Sequence, residues 1–169
     1  MLADHIRKLF DYNYWANFLL MDKAAELDNE HFLAATRFPH GGLRDTFAHL
    51  LFAEWIWRER CEGKSPLQGE KMPEAEDFAD LARLRDFWIQ EEGRMQAYLS
   101  KLTDEQAIAD LHYTGTKKEP FMLPLEDVLS HVVIHGMQHR SEIAQMLTEL
   151  GHSPGDIDYS MYRRLYAKR

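Results

Sequence analysis

Histidine is concentrated in one short segment of this 169-residue sequence. Nine histidines occur in the chain, and three of them, His131, His135 and His139, follow one another at four-residue steps in LSHVVIHGMQHRSEIAQML. If the segment is helical, the three imidazoles lie one turn apart along one side of the helix. Imidazole nitrogen is a common ligand of divalent transition metals, so this spacing suggests a metal site.

The helical wheel of this segment separates the three histidines. His135 and His139 lie at the edge of its apolar arc and are expected to face the interior together, whereas His131 is expected to face outward or the rim. A catalytic metal site commonly has three protein ligands and one open position, so the third ligand should come from another helix. His49, in the apolar segment FAHLLFAEWIW, is the best candidate.

Other interpretations of these histidines remain open at this point. His49 could be a hydrogen-bonded core residue, and a pair of histidines four residues apart also occurs by chance. A histidine cluster could also serve as a pH sensor without any metal. A faint repeat, LRDTFAH and LEDVLSH, matches His49 with His131 rather than with His135.

Apolar residues at three- and four-residue steps predict the helices that must position these side chains. Four long helices are expected at residues 4–27, 43–61, 77–102 and 125–150, with Gly151 ending the last one and Pro154 preventing its continuation. Thr103 and Gln106 have capping-box spacing and predict a short helical turn, and HYTGTKKEPF could hold a small turn or hairpin. The predicted fold is an all-α four-helix bundle that forms a single domain, residues 1–169.

The connection between the second and third helices is long and rich in Gly, Pro and charge. Residues 62–76, EGKSPLQGEKMPEAE, reach roughly 50 Å when extended. Because a 19-residue helix is only about 28 Å long, this link could cross the whole bundle and let helices two and three run parallel.

Charge and cysteine content exclude several classes of function. The net charge of −8 disfavours binding to nucleic acid, and the basic C-terminal segment MYRRLYAKR is interpreted as a solvated end. No apolar run is long enough to cross a bilayer, and the first residues do not resemble a secretory signal. Cys61 is the only cysteine, which rules out an internal disulfide. A cytoplasmic protein without a membrane or nucleic-acid partner is expected.

Two further residues, Arg140 and His112, are candidates for a role near the site, whereas Cys61 is not. Arg140 falls inside the apolar arc, and a buried arginine needs an anion, so Asp45 or Glu54 is its expected partner. Whether Arg140 forms a structural ion pair or contacts a substrate remains open. His112, in the segment before the fourth helix, could reach the mouth of the site. Cys61 lies about 18 Å along the helix from His49, too far to bind the same ion.

Three segments resemble the DinB-like family of bacterial four-helix-bundle metalloproteins, the DinB/YfiT-like superfamily. They are YNYWANFLL, FAHLLFAEWIW and HVVIHGMQHRSEIAQMLTELGHSPGDID, and the likeness as a whole covers most of the chain. The resemblance implies an up-down-down-up bundle, a homodimer and one divalent metal bound by His49, His135 and His139. Ser141 stands where the family usually has Gly, a difference that concerns helix packing rather than the metal.

Three neutral imidazoles suit nickel or zinc, with iron or manganese as alternatives. They leave the ion its full charge, so the ion could activate water for hydrolysis or a thiol for transfer. The resemblance favours the second reaction and implies a metal-dependent S-transferase with a low-molecular-weight thiol co-substrate. No catalytic side chain is predicted beyond His131 as a weak candidate, and no substrate-binding residue is assigned. The alternative is a non-catalytic stress-response or interaction protein in which the metal is structural.

Overall fold

The computed structural model describes residues 1–64 and 74–167, most of which lie in helices. In chain order these residues form α1 (Leu2–Ala24), α2 (Asn29–Leu33), α3 (Leu43–Cys61), a 3₁₀ turn (Ala75–Asp77), α4 (Leu81–Ser100), α5 (Asp104–Ile108), β1 (Asp110–Thr114), β2 (Pro120–Pro124), α6 (Leu125–Glu149) and α7 (Tyr159–Leu165). The two strands pair antiparallel as a small hairpin. The predicted helical class is therefore confirmed, with this hairpin as an addition.

The predicted helices agree with the observed ones most closely where the sequence carries residues that typically begin or end a helix. The second helix has the predicted bounds, and the fourth begins at Leu125 and ends at Glu149, followed by Gly151 at φ +85°. The third begins at Leu81 rather than residue 77, because the Asp80 side chain caps it by accepting a hydrogen bond from the Arg83 backbone N–H. The first ends at Ala24, three residues earlier than predicted.

Short elements were predicted less well. The Thr103–Gln106 capping box and the hairpin are both present, but α2 and α7 were not foreseen. The basic C-terminal segment is only partly a solvated end, because Tyr162 of α7 is buried, 5.2 Å from the ring of Trp15. Most of the predicted long link, residues 65–73, lies outside the described residues, as do residues 168 and 169.

The four long helices pack in a closed ring, in which α1 and α3 each contact both α4 and α6. Their apolar side chains form two clusters, one containing Ile6 and Leu129 and the other containing Phe47 and Leu147. Between these clusters lies a buried polar layer, which consists of Asn13, Asn17, Glu54, Glu91 and Arg140. Each long helix contributes to this layer, so the middle of the molecule is polar although both ends of its core are apolar.

In the described part of the chain, no helix combines the length and hydrophobicity that a membrane span requires.

Candidate metal centre

The three predicted ligands come together where α3 crosses α6 beside the polar layer. The Nε2 atom of His135 lies 3.3 Å from Nε2 of His49 and 3.2 Å from Nε2 of His139. Donor atoms that share one ion in tetrahedral geometry, at metal–nitrogen distances of about 2.1 Å, lie about 3.4 Å apart. Nε2 of His135 thus lies at ligand spacing from Nε2 of each of the other two histidines, and the binding of an ion stays a prediction.

A fourth histidine, His40, joins this group from the loop before α3. Its ring stacks on His49 at a centroid distance of 3.9 Å and meets His139 edge-on at 4.7 Å. One ring nitrogen each from His40, His49 and His139 lie within 4.8 Å of one another. Sequence reasoning missed His40 because it lies outside every periodic segment. The available signal was its position in PHGG, just before the helix that carries His49.

The electrostatic surroundings keep two of the predicted ligands neutral. Partial burial, reinforced by the neighbouring imidazoles, lowers the pKa of both His49 and His135 to about 4. Both imidazoles are therefore uncharged at neutral pH, with one ring nitrogen free of a proton. A neutral imidazole is the form that binds a metal, so the site does not have to release protons from these two rings before it takes up an ion.

Glu142 fixes the orientation of His139. Nδ1 of His139 donates to Oε2 of Glu142 over 2.8 Å. Since a carboxylate can only accept, the proton of the imidazole sits on Nδ1 and the lone pair of Nε2 points to the other ligands. Sequence reasoning missed Glu142, whose signal was its spacing of three residues from His139 along one helix face.

Replacing Glu142 by alanine is expected to weaken nickel or zinc binding by about 10–100-fold, because His139 loses its orienting acceptor. The measurement is a metal titration in competition with a chromophoric chelator. Glu149→Ala is the matched control, since Glu149 is an exposed glutamate at the end of the same helix. Equal dissociation constants for Glu142→Ala and the wild type would show that Glu142 does not support the site.

His131 lies at the rim, as predicted. Its side chain is exposed, with its ring 5.6 Å from His135 and 5.2 Å from Trp57. His112 is exposed in β1 opposite Met122, and its neighbour Tyr113 is the residue that packs against Trp57.

Cys61 ends α3, about three turns beyond His49. Burial raises the pKa of its thiol to about 12, so Cys61 is a protonated, unreactive side chain at neutral pH.

The expected carboxylate partner of Arg140 was wrong. The Nη1 atom of Arg140, which is fully buried, donates to the side-chain oxygens of Asn13 and Asn17, the latter at 3.1 Å. Asp45 pairs with Arg44 instead, at 2.8 Å. Amide oxygens can satisfy a guanidinium because they are strong acceptors, although they carry no net charge.

Glu54 is connected to Arg140 through Asn13 rather than directly. Its carboxylate accepts a hydrogen bond of 2.6 Å from the Tyr14 hydroxyl and a longer one, 3.4 Å, from the Asn13 amide. Glycine at position 136 makes room for this network, because a Cβ there would lie 2.6 Å from Nη1 of Arg140. A cavity of about 10 Å³, room for a single water, separates Glu54 and Asn13 from His135.

Glu54→Gln tests the charge of this network. Burial raises the pKa of Glu54 to about 7, from an ordinary value of 4.5. Because the folded pKa is the higher one, the stability that Glu54 contributes is present below about pH 4.5 and is lost as pH rises through 7. Glutamine mimics the protonated form of Glu54. The free energy of unfolding of the metal-free variant should therefore exceed that of the metal-free wild type by up to about 3 kcal/mol at pH 8 and differ little from it at pH 5.

Urea unfolding at both pH values measures this difference, with Glu105→Gln as the exposed control. His49 and His135 have lowered pKa values, so the pH dependence of their contribution to stability is opposite to that of Glu54. The stability that they contribute is present above about pH 6.5 and is lost as pH falls below it. That contribution is common to variant and wild type and cancels in the comparison. A difference that does not change with pH would contradict an ionising Glu54.

Comparison with known proteins supplies a second line of observation. A model of the DinB family matches residues 1–169. Protein DinB of Bacillus subtilis (strain 168) is 24% identical over 165 residues, which cover 95% of each chain. The match therefore includes all of the elements that carry the histidine cluster.

Proposed function

We propose that this chain, which belongs to the DinB family, binds one divalent transition metal through His49, His135 and His139. The observation that carries the proposal is that Nε2 of His135 lies 3.3 Å from Nε2 of His49 and 3.2 Å from Nε2 of His139. The low pKa of His49 and His135 supports it, since these rings are ready to bind a cation. The all-nitrogen donor set fits nickel or zinc, with iron or manganese as alternatives.

The fold that presents this site is proposed to be an up-down-down-up four-helix bundle. Contacts between α3 and α4 support parallel neighbours, because Phe47 packs on Trp88 and, further along both helices, Arg58 pairs with Glu91. Contacts between α1 and α4 support an antiparallel arrangement of these two helices. Arg7, near the start of α1, donates to carbonyls at the end of α4, whereas Asp22 pairs with Arg85 near its start.

The reaction that we propose is metal-dependent S-transfer from a low-molecular-weight thiol, with metal-dependent hydrolysis as the related alternative. A bound divalent ion supplies Lewis acidity, which makes a coordinated thiol or water more acidic. The protein's own part is to hold His49 and His135 neutral, to keep the proton of His139 on Nδ1, and to present His131 at the rim. We propose His131, whose side chain is exposed at the rim, as the group that would exchange a proton with a substrate.

Metal content tests the first step of this proposal. Protein purified without an affinity tag and offered nickel and zinc is expected to hold about one ion per chain by elemental analysis. A content below about 0.1 ion per chain would contradict the metal site.

The transferase reaction is tested by incubating metal-loaded protein with chlorodinitrobenzene and bacillithiol, mycothiol or glutathione. The wild type is expected to accelerate thiol addition relative to His135→Ala with at least one of these thiols. No acceleration with any of them would remove the transferase and leave the hydrolase to be tested with ester substrates.

A second function is favoured by the presence of His40. A fourth imidazole at the cluster is what a closed, structural site would use, with the metal joining α3 and α6 and stabilising the fold. In that case metal would raise the melting temperature without supporting turnover, and the protein would act in binding or in a stress response.

The proposed assembly is a homodimer without nucleic acid. Large apolar side chains exposed on α3 and α6, among them Phe52, Ile134 and Met137, support a protein partner on that side. Light scattering in solution tests the proposal, and a monomer at micromolar concentration would contradict it.

A further inference from the structure

We propose that His40 is a fourth and exchangeable ligand of the same ion. It would occupy the fourth coordination position at rest and give that position up to an incoming anionic ligand such as a thiolate. This inference rests on the proposed metal site. It adds a specific residue that controls access to the ion.

The position of His40 carries the first part of the inference. Its ring contacts two of the proposed ligands, stacked on His49 and edge-on to His139. A ring nitrogen of His40 lies within 4.8 Å of donor atoms of both. Donors of a common ion lie about 3.4 Å apart, so His40 is close enough to join the ion by a small inward movement.

The loop is built to present this side chain. Phe38, Pro39, His40 and Gly41 form a turn in which the Gly41 N–H donates to the Phe38 carbonyl over 2.9 Å. Proline favours the second position of such a turn and fixes its backbone, which places His40 third. Gly41 has φ +90°, a conformation that favours glycine, and a Cβ there would lie 2.6 Å from Oδ2 of Asp45.

The same arrangement makes His40 the ligand that can leave. His49, His135 and His139 are carried by long helices whose backbones are held by the core, whereas His40 is carried by a loop. His40 is also only partly buried, while His139 is 3% exposed. Release of His40 would open one position towards solvent without moving any helix, which is how a closed resting site could still accept a substrate.

Cobalt(II) in place of the native metal reports the coordination directly. We expect wild-type protein to show the intense visible absorption of a four-coordinate site. His40→Ala should show weaker, shifted bands and a cobalt dissociation constant at least about tenfold higher. Added imidazole should restore the wild-type spectrum in His40→Ala. His31→Ala is the matched control, because His31 is an exposed histidine that pairs with Asp28.

Exchange is tested with 2-mercaptoethanol at pH 8, which loses its proton to the buffer and binds as a thiolate. A sulfur-to-cobalt charge-transfer band should appear in both proteins, at a lower thiol concentration in His40→Ala because no histidine has to be displaced. If His40→Ala and wild type share one spectrum and one dissociation constant, His40 is not a ligand, and the three-histidine site stands. A spectrum that depends on His40 but is unchanged by thiol would overturn exchange. Failure of cobalt to bind either protein would overturn the proposed metal site as well.

Discussion

His139→Ala is expected to weaken nickel or zinc binding by at least about 100-fold, more than the loss of a residue that only orients a ligand. The substitution removes the Nε2 atom that lies 3.2 Å from Nε2 of His135 and leaves Glu142 without the imidazole it orients. Competition with a chromophoric chelator measures the dissociation constant. The rise in melting temperature that metal produces in the wild type should disappear in the variant.

His152→Ala is the matched control for this substitution. His152 also pairs with a glutamate, Glu26, at 3.0 Å, but it lies beyond the end of α6 and outside the cluster. The control should bind metal as the wild type does. If His139→Ala bound metal as tightly as His152→Ala, the proposed ligand set would be wrong.

Arg58→Ala is expected to lower the free energy of unfolding by about 3–5 kcal/mol. Its guanidinium is 2% exposed and donates to Glu91 of α4 and, over 2.6 Å, to Glu59. Without Arg58, two buried carboxylates lose their main counter-charge. The pair joins α3 to α4, so its loss loosens the helix that carries His49. Urea unfolding measures the effect.

Two variants separate charge from packing at this position. Arg85→Ala removes an exposed ion pair between α4 and Asp22 of α1 and should lower the free energy of unfolding by less than about 1 kcal/mol. The double variant Arg58→Met, Glu91→Leu removes the charges from both helices and should recover much of the lost stability. Stability of Arg58→Ala within about 1 kcal/mol of the wild type would contradict a structural role for the pair.

Sequence patterns predicted the elements in which local signals and long-range packing agree. The bounds of α3 and the start of α6 follow from an apolar periodicity interrupted by Gly42 and Pro124, residues that also limit the helices in the structure. The same periodicity predicted that His135 faces inward and His131 outward, because a regular helix fixes the angle between them. α2 and α7, of five and seven residues, are too short to show a period.

The parts of the site that were missed depend on contacts between segments distant in sequence. His40 reaches the cluster through a turn, and no helical pattern describes that turn. Arg140 was correctly expected to be buried, yet its acceptors are Asn13 and Asn17, more than 100 residues away. The sequence indicates that a buried guanidinium needs acceptors, but only the packing of α1 against α6 determines that they are amides.

The most direct test of the central claim is a crystal structure of metal-loaded protein with anomalous data collected at the nickel or zinc edge. We predict one strong anomalous peak per chain, about 2.1 Å from the Nε2 atoms of His49, His135 and His139. A peak bound elsewhere in the chain, or no peak among these three imidazoles at saturating metal, would contradict the account.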